Sequence, residues 1–305
     1  MNKNLLNVKL GDLELNNPVI TASGTFGFGK DLEEYFSVED LGAITLKGIT
    51  VNKSEGNEVP RIAETPAGIL NSIGLENPGV EKFISDVIPE IKDINTPVIA
   101  NISGYSVDDF LYLAEKLAKQ KAVNAIEVNV SCPNIKNGGM AFGTDSEMIF
   151  KVTKKVRNIY GGPIIVKLSP NVTDIVEMAE SAVEGGADII SLVNTFLGMA
   201  IDVNKQDAVL GNTFGGLSGP AIKPIALRMV YQVAEAIDVP IIGMGGIMSG
   251  EDAIEFLLAG ASAVGIGTAT LRDPSASIKI INEMKNYLRK NNIKNINEII
   301  AKAHK

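Results

Sequence analysis

AIEVNVSCPNIKNGGMAFGTDSEMIFKVTKKVRNIYGGPIIVKLSP, residues 125–170, decides how the chain is read. Two short β-branched runs, AIEVNVSCP (125–133) and PIIVKLSP (163–170), flank SEMIFKVTKKVRNIY (146–160), whose apolar residues recur at helical spacing. Runs that are apolar on both faces suit parallel strands covered by helices. The same unit repeats outward in both directions. NPVITASG (17–24), AITLKGIT (43–50), PVIANISG (97–104), DIISLVNT (188–195), PIIGMGG (240–246) and AVGIGTA (263–269) bring the strands to eight. SVDDFLYLAEKLAKQ (106–120), TDIVEMAESAVEGG (173–186), KPIALRMVYQVAEAI (223–237) and EDAIEFLLAG (251–260) are further helices. Eight β/α units predict a closed (β/α)8 TIM barrel, an α/β fold, and with no linker or low-complexity tract they predict one domain over residues 1–305. The rival is a doubly wound open sheet, but no G-x-G-x-x-G follows the first strand. VKLGDLELNN (8–17) predicts a small N-terminal hairpin flooring the barrel, with Gly11-Asp12 as its turn.

Composition narrows the partners. A formal charge of −8 argues against a nucleic-acid backbone or an anionic membrane, since both reward basic patches. The single cysteine, Cys132, allows no internal disulfide and no iron-sulfur cluster, so the chain reads as intracellular. No N-terminal apolar h-region and no run of roughly 18 apolar residues is present, and the expected location is the cytosol.

Three long connections, 50–77, 132–144 and 196–219, follow strand carboxyl ends, the face where barrel enzymes keep their chemistry. Polar residues close the strands there: Ser23, Lys47, Asn101, Asn129, Cys132, Lys167, and Asn194 with Thr195. Buried lysines are rare unless paired, so Lys47 and Lys167 point to a ligand, with a structural ion pair as the alternative. Gly245-Gly246 and Gly267-Thr268, with GGLSGP (215–220), fall where barrels commonly bind a phosphate through backbone N–H groups; tight βα turns are the alternative. Asn71, Asn101, Asn129, Asn134 and Asn194 offer carboxamides, each a donor beside an acceptor, to the edge of a planar heterocycle; singly, each could be a turn former. Cys132 lies at the mouth between Ser131 and Pro133, where an inert buried thiol is the blander possibility.

At these residues the chain resembles the dihydroorotate dehydrogenases. NVSCPN (129–134) resembles the motif of the soluble class 1 enzymes, and TASGTFGFG (21–29), NSIGLENPG (71–79), VKLSPN (166–171), VNT (193–195), GGLSGPAIKP (215–224), IIGMGGI (241–247) and ASAVGIGTA (261–269) follow in the family's order. The resemblance implies FMN at the barrel mouth and oxidation of (S)-dihydroorotate to orotate in pyrimidine (UMP) biosynthesis. Carried over by position, it implies FMN contacts at Ser23, Lys47, Gly48, Asn101, Asn129, Lys167, Val193, Gly219, Gly245, Gly246, Gly267 and Thr268. Orotate contacts are implied at Lys47, Asn71, Ser72, Ile73, Gly74, Leu75, Asn129, Asn134, Asn194 and Thr195.

The same resemblance implies that hydride leaves C6 for FMN while Cys132 takes the C5 proton, so no histidine is required. A lid over the substrate is expected at 134–144. The stretches NIKNGGMAFGTD, AETPAGILNSIGLENPG and KLSPNVTDI resemble the NAD-linked type 1B, in which a partner subunit carries FAD and a 2Fe-2S cluster around a homodimer core, making a heterotetramer. The fumarate-linked type 1A is the alternative. Two other classes stay open on the residues alone: a Schiff-base lyase using Lys47 or Lys167, and a noncatalytic phosphate-binding barrel.

Overall fold

The structure is a computed structural model that describes residues 5–131 and 142–304. Cys132, Asn134 and most of the expected lid therefore lie outside the described residues. Eight parallel strands form the expected barrel: β1 (Val19–Thr21), β2 (Ile44–Thr45), β3 (Val98–Ile102), β4 (Ala125–Asn129), β5 (Ile164–Lys167), β6 (Ile189–Leu192), β7 (Ile241–Met244) and β8 (Ala263–Ile266). Their order is β1-β8-β7-β6-β5-β4-β3-β2. β1 and β2 then meet through an Ile20–Ala43 bridge, and the Gly42 N–H donates to Val19 O at 2.9 Å. The Thr21 hydroxyl completes the seam, accepting from Thr45 N at 2.8 Å and donating to Thr45 O at 3.2 Å.

Helices α1 (Val107–Leu117), α2 (Ser146–Arg157), α3 (Ile175–Glu184), α4 (Lys223–Ala236) and α5 (Gly250–Leu258) follow β3 to β7, and α6 (Thr268–Arg272) and α7 (Ala276–Lys290) follow β8. Their starts are local chemistry. Ser106 and Ser249 each form a capping box, with Asp109 and Asp252, while Asp145 and Asp174 accept from first-turn N–H groups of α2 and α3. In α1, Phe110, Leu113, Ala114 and Leu117 make one buried stripe at helical spacing. The connection after β1 instead holds only a 3-10 turn, Val38–Asp40.

The expected hairpin is present, Val8–Leu10 pairing with Leu13–Leu15, with Gly11 at φ +61° in the turn. A β-carbon on Gly11 would lie 3.7 Å from the Ile189 side chain at the start of β6, so the hairpin seals the amino-terminal end.

The long connections are more ordered than loops. Segments from 50–77 and 196–219 pair into a four-stranded antiparallel sheet, in the order Phe196–Met199, Phe214–Ser218, Gly68–Asn71, Ile62–Thr65. Asn71 faces Ile62 on one side and Gly216 on the other. Leu70 is buried beneath this cap, whereas Ile62, Leu197, Met199 and Phe214 are exposed on it.

Replacing Thr21 with Val removes the hydroxyl at the seam and leaves the buried Thr45 N–H without its acceptor. The expected loss of unfolding free energy is about 1–3 kcal/mol, read by urea denaturation; a wild-type midpoint would show that the seam does not depend on that hydroxyl.

Candidate active site

Register places the polar strand residues on one inner face. Asn101 lies opposite Glu127, while Asn129 and Ser191 both lie opposite Lys167. All five are buried. Glu127, in the middle of an apolar run, is the hub: one carboxylate oxygen accepts from Asn101 Nδ2 at 2.6 Å and the other from Ser191 Oγ at 2.9 Å. Lys167 Nζ stands 3.8 Å from Glu127 Oε1, close enough for charge compensation and too far for a hydrogen bond. The ion pair raised as an alternative for Lys167 is thus present, with a partner that sequence reasoning passed over. Its signal was a lone carboxylate in a strand otherwise apolar on both faces.

An ionised carboxylate only accepts, so Asn101 must turn its nitrogen toward Glu127 and its oxygen away. That oxygen is buried without a hydrogen-bond partner among the described residues, as is the hydroxyl of Ser103 two positions on. A β-carbon on Gly48 would lie 2.8 Å from Asn101 Oδ1 and 3.7 Å from Ser103 Oγ, so glycine leaves both atoms open on that side. Lys47, half-buried beside Gly48, holds its backbone through a 2.8 Å bond from its N–H to Gly27 O. Among the described residues its ammonium has no ion-pair partner.

Asn129, Ser131 and Asn194 form a chain across the mouth. Ser131 Oγ donates to Asn129 Oδ1 at 2.6 Å and accepts from Asn194 Nδ2, and Asn194 Oδ1 accepts from Thr195 N at 2.8 Å. Thr195 packs against Gly216 of the cap, where a β-carbon would lie 1.9 Å from the Thr195 hydroxyl. Asn71 Nδ2 donates to Gly216 O at 3.2 Å, which ties the Asn71–Leu75 segment to the same rim.

That segment is framed by its neighbours. Asn57 Nδ2 donates to Ser72 Oγ at 2.9 Å, Asn57 N to Ile73 O at 3.0 Å and Asn77 Nδ2 to Leu75 O at 2.6 Å. Gly74 and Leu75 both have positive φ, +77° and +54°. Arg61 clamps the base of the loop through Asn57 O, Glu55 O and the Glu76 carboxylate.

The glycines form a further cluster at the rim. Gly246, at φ +77°, has no room for a β-carbon, which would lie 2.8 Å from both Gly219 O and Lys223 N; a β-carbon on Gly245 would lie 3.4 Å from the Val193 side chain. Thr268 Oγ1 donates to Ser218 Oγ at 2.9 Å, next to Gly219. Gly267 faces Ala22, the residue before Ser23, whose N–H donates to Ile266 O at 2.8 Å. Lys223 sits at this turn, but its ammonium is committed to Asp252 at 2.6 Å and Glu255 at 3.0 Å. Burial pushes the Asp252 carboxyl up, yet hydrogen bonds from Lys223, Met248 N and Ser249 hold it below its ordinary value; its bond holds Lys223 above the usual ammonium value.

Closed parallel barrel, polar rim and glycine cradle together define a (β/α)8-barrel enzyme with its chemistry at the strand carboxyl ends. The dihydroorotate dehydrogenase family model matches residues 5–288, and the chain belongs to that family. It is 54% identical over 299 residues to the dihydroorotate dehydrogenase B (NAD(+)) catalytic subunit of Alkaliphilus metalliredigens, covering 98% of this chain and 99% of that protein. Proteins of the same name from Geotalea uraniireducens and Bacteroides thetaiotaomicron are 52% and 51% identical, over 99% and 97% of this chain and 99% and 98% of theirs. The chain is therefore an oxidoreductase, and the Schiff-base lyase and noncatalytic readings fall away.

Acidification tests the anchor beneath the glycine turn. Because the folded Asp252 carboxyl is depressed, its stabilisation is present above the ordinary value of 3.8 and is lost as pH falls through the lower folded value. Asp252→Asn should be less stable than wild type at pH 7 and should lose less stability on acidification below about pH 4. Parallel acid-unfolding curves would show that the pair contributes nothing.

Proposed function

We propose that this chain is the FMN-binding catalytic subunit of an NAD-linked dihydroorotate dehydrogenase, acting as one barrel domain in the cytoplasm in pyrimidine biosynthesis. The observation that carries the reading is that Asn101 Oδ1 and Ser103 Oγ are buried with no hydrogen-bond partner among the described residues, while the Asn101 nitrogen is bound to the Glu127 carboxylate that faces the buried ammonium of Lys167. Buried polar atoms are normally satisfied, so this cluster calls for a ligand with its own polar edge. A flavin has such an edge, its pyrimidine ring alternating C=O and N–H. The glycine turns suit the phosphate at the other end: they bring three stretches of backbone close together, whose N–H groups can meet an anion, and the nearby cation is already paired.

FMN, when bound, supplies the acceptor for the hydride that leaves C6 of dihydroorotate. The chain's own residues bind and move the proton. Ser23, Gly48, Asn129, Val193, Gly219, Gly245, Gly246, Gly267 and Thr268 line the FMN site with Lys47, Asn101 and Lys167. Lys47 and the backbone around Gly74 hold the substrate carboxylate, a charge-assisted role for a lysine that has no ion-pair partner among the described residues. Asn71, Ser72, Ile73, Leu75, Asn129, Asn134, Asn194 and Thr195 hold the ring, the carboxamides meeting its imide edge. Cys132 takes the C5 proton. A free thiol near a pKa of about 8.5 is only a few per cent thiolate at neutral pH, so the rate should rise with pH.

Electrons leave through a partner subunit carrying FAD and a 2Fe-2S cluster, assembled with a homodimer of this chain into a heterotetramer. The apolar side chains exposed on the cap, Ile62, Leu197, Met199 and Phe214, favour coverage by protein. The described residues contain no helix long and apolar enough to cross a membrane.

Cys132→Ala should slow bleaching of the bound flavin by dihydroorotate by about 10²–10⁴-fold while FMN stays bound. Unchanged stopped-flow bleaching would remove Cys132 from the mechanism. The isolated chain should reduce artificial acceptors with dihydroorotate but NAD only after the partner is added. Efficient fumarate reduction by the chain alone would assign it to type 1A instead.

A further inference from the structure

Among the described residues, Glu127 and Lys167 are the charged side chains of the buried set, and no role described so far uses Glu127. We propose that Glu127 is a positioning residue of the flavin site: it tempers the charge that Lys167 presents to the flavin and fixes the Asn101 carboxamide with its oxygen toward the ring. The inference rests on the FMN reading above.

The geometry separates two tasks that an ordinary ion pair would merge. Both Glu127 oxygens are held by neutral donors from other strands, Asn101 Nδ2 from the neighbouring β3 and Ser191 Oγ from β6, on the far side of β5. The carboxylate is therefore placed without any hydrogen bond from Lys167. The ammonium, 3.8 Å away, feels the opposite charge in a low-dielectric interior and keeps its N–H donors for something else. A close bidentate pair would have consumed those donors. Compensation at this distance leaves a weakened cation facing the ligand. Such a cation stabilises negative charge developing on the flavin yet does not hold it as a bare ammonium would. That balance suits a cofactor that must accept electrons from one molecule and release them to another.

Asn101 shows the second task. Its nitrogen is bound to Glu127, so the oxygen that remains is a buried acceptor with no partner among the described residues. It can be satisfied only by a donor outside those residues, and a ring N–H is the matching group.

Sulfite titration of the holoenzyme reads the charge. Sulfite adds to the flavin and leaves negative charge on its pyrimidine ring, so its affinity rises with positive charge nearby. Glu127→Gln removes the carboxylate charge but keeps an acceptor for Asn101, and the Ser191 hydroxyl can rotate to accept from the new amide. The expected result is bound FMN with sulfite affinity raised about threefold or more, and no rise when the change is made in a Lys167→Met background. Glu127→Leu, which also removes the acceptor, should weaken FMN binding about tenfold.

Wild-type or weaker sulfite affinity in flavin-loaded Glu127→Gln, or the same rise without Lys167, overturns the proposal. Should Glu127→Gln release its flavin, Ser191→Ala decides. Freeing one carboxylate oxygen to lean toward Lys167 should weaken sulfite binding about twofold, and unchanged affinity overturns the proposal. A wild-type protein that takes up no FMN defeats the FMN reading, and the inference with it, whereas bound FMN with indifferent sulfite affinity defeats the inference alone.

Discussion

Parallel strands that close on themselves must send every carboxyl end to the same rim, and the remaining features of the molecule depend on that constraint. The ring closes where β1 meets β2, through one hydroxyl and a short run of backbone bonds. Once it is closed, Lys47, Asn101, Asn129, Lys167 and Asn194, each from a different β/α unit, share one mouth. Helices returning outside the barrel contribute little to that chemistry. Their buried stripes and capped starts keep the strands in register beneath it.

Three lysines at this mouth differ in how far their charge is answered. Lys223 is bound directly by two carboxylates and acts as a strut under the Gly246 turn. Lys167 has one carboxylate at a distance, and Lys47 has none among the described residues. The series runs from a fully paired structural cation to one with no ion-pair partner among the described residues. Composition alone could not rank them, because the ranking depends on partners brought from other strands.

Legibility followed the range of each signal. The eight strands and the major helices could be read because apolar runs and helical periodicity are local. The floor hairpin was legible for the same reason, through Gly11-Asp12. The cap sheet was not. Its strands are short, FGGLS (214–218) is glycine-rich, and its central pairing joins segments far apart in the chain. At the site, the polar strand ends and glycine pairs announced themselves by type, while Glu127 was hidden inside a run that otherwise reads as core. Its importance shows only when Asn101 and Lys167 are seen beside it.

The cap has a consequence for how the molecule comes into being. Asn71 and Gly216 are separated by 145 residues, and bringing such distant segments together costs loop-closure entropy that local contacts do not repay. The intervening barrel strands shorten that search, because they deliver both segments to the same rim. Contacts among Asn71, Thr195 and Gly216 are therefore expected to need the barrel strands already in place. The cap is the part of the mouth that leans most on the rest of the fold, since Asn71 meets Gly216 only where the barrel has brought both to one rim.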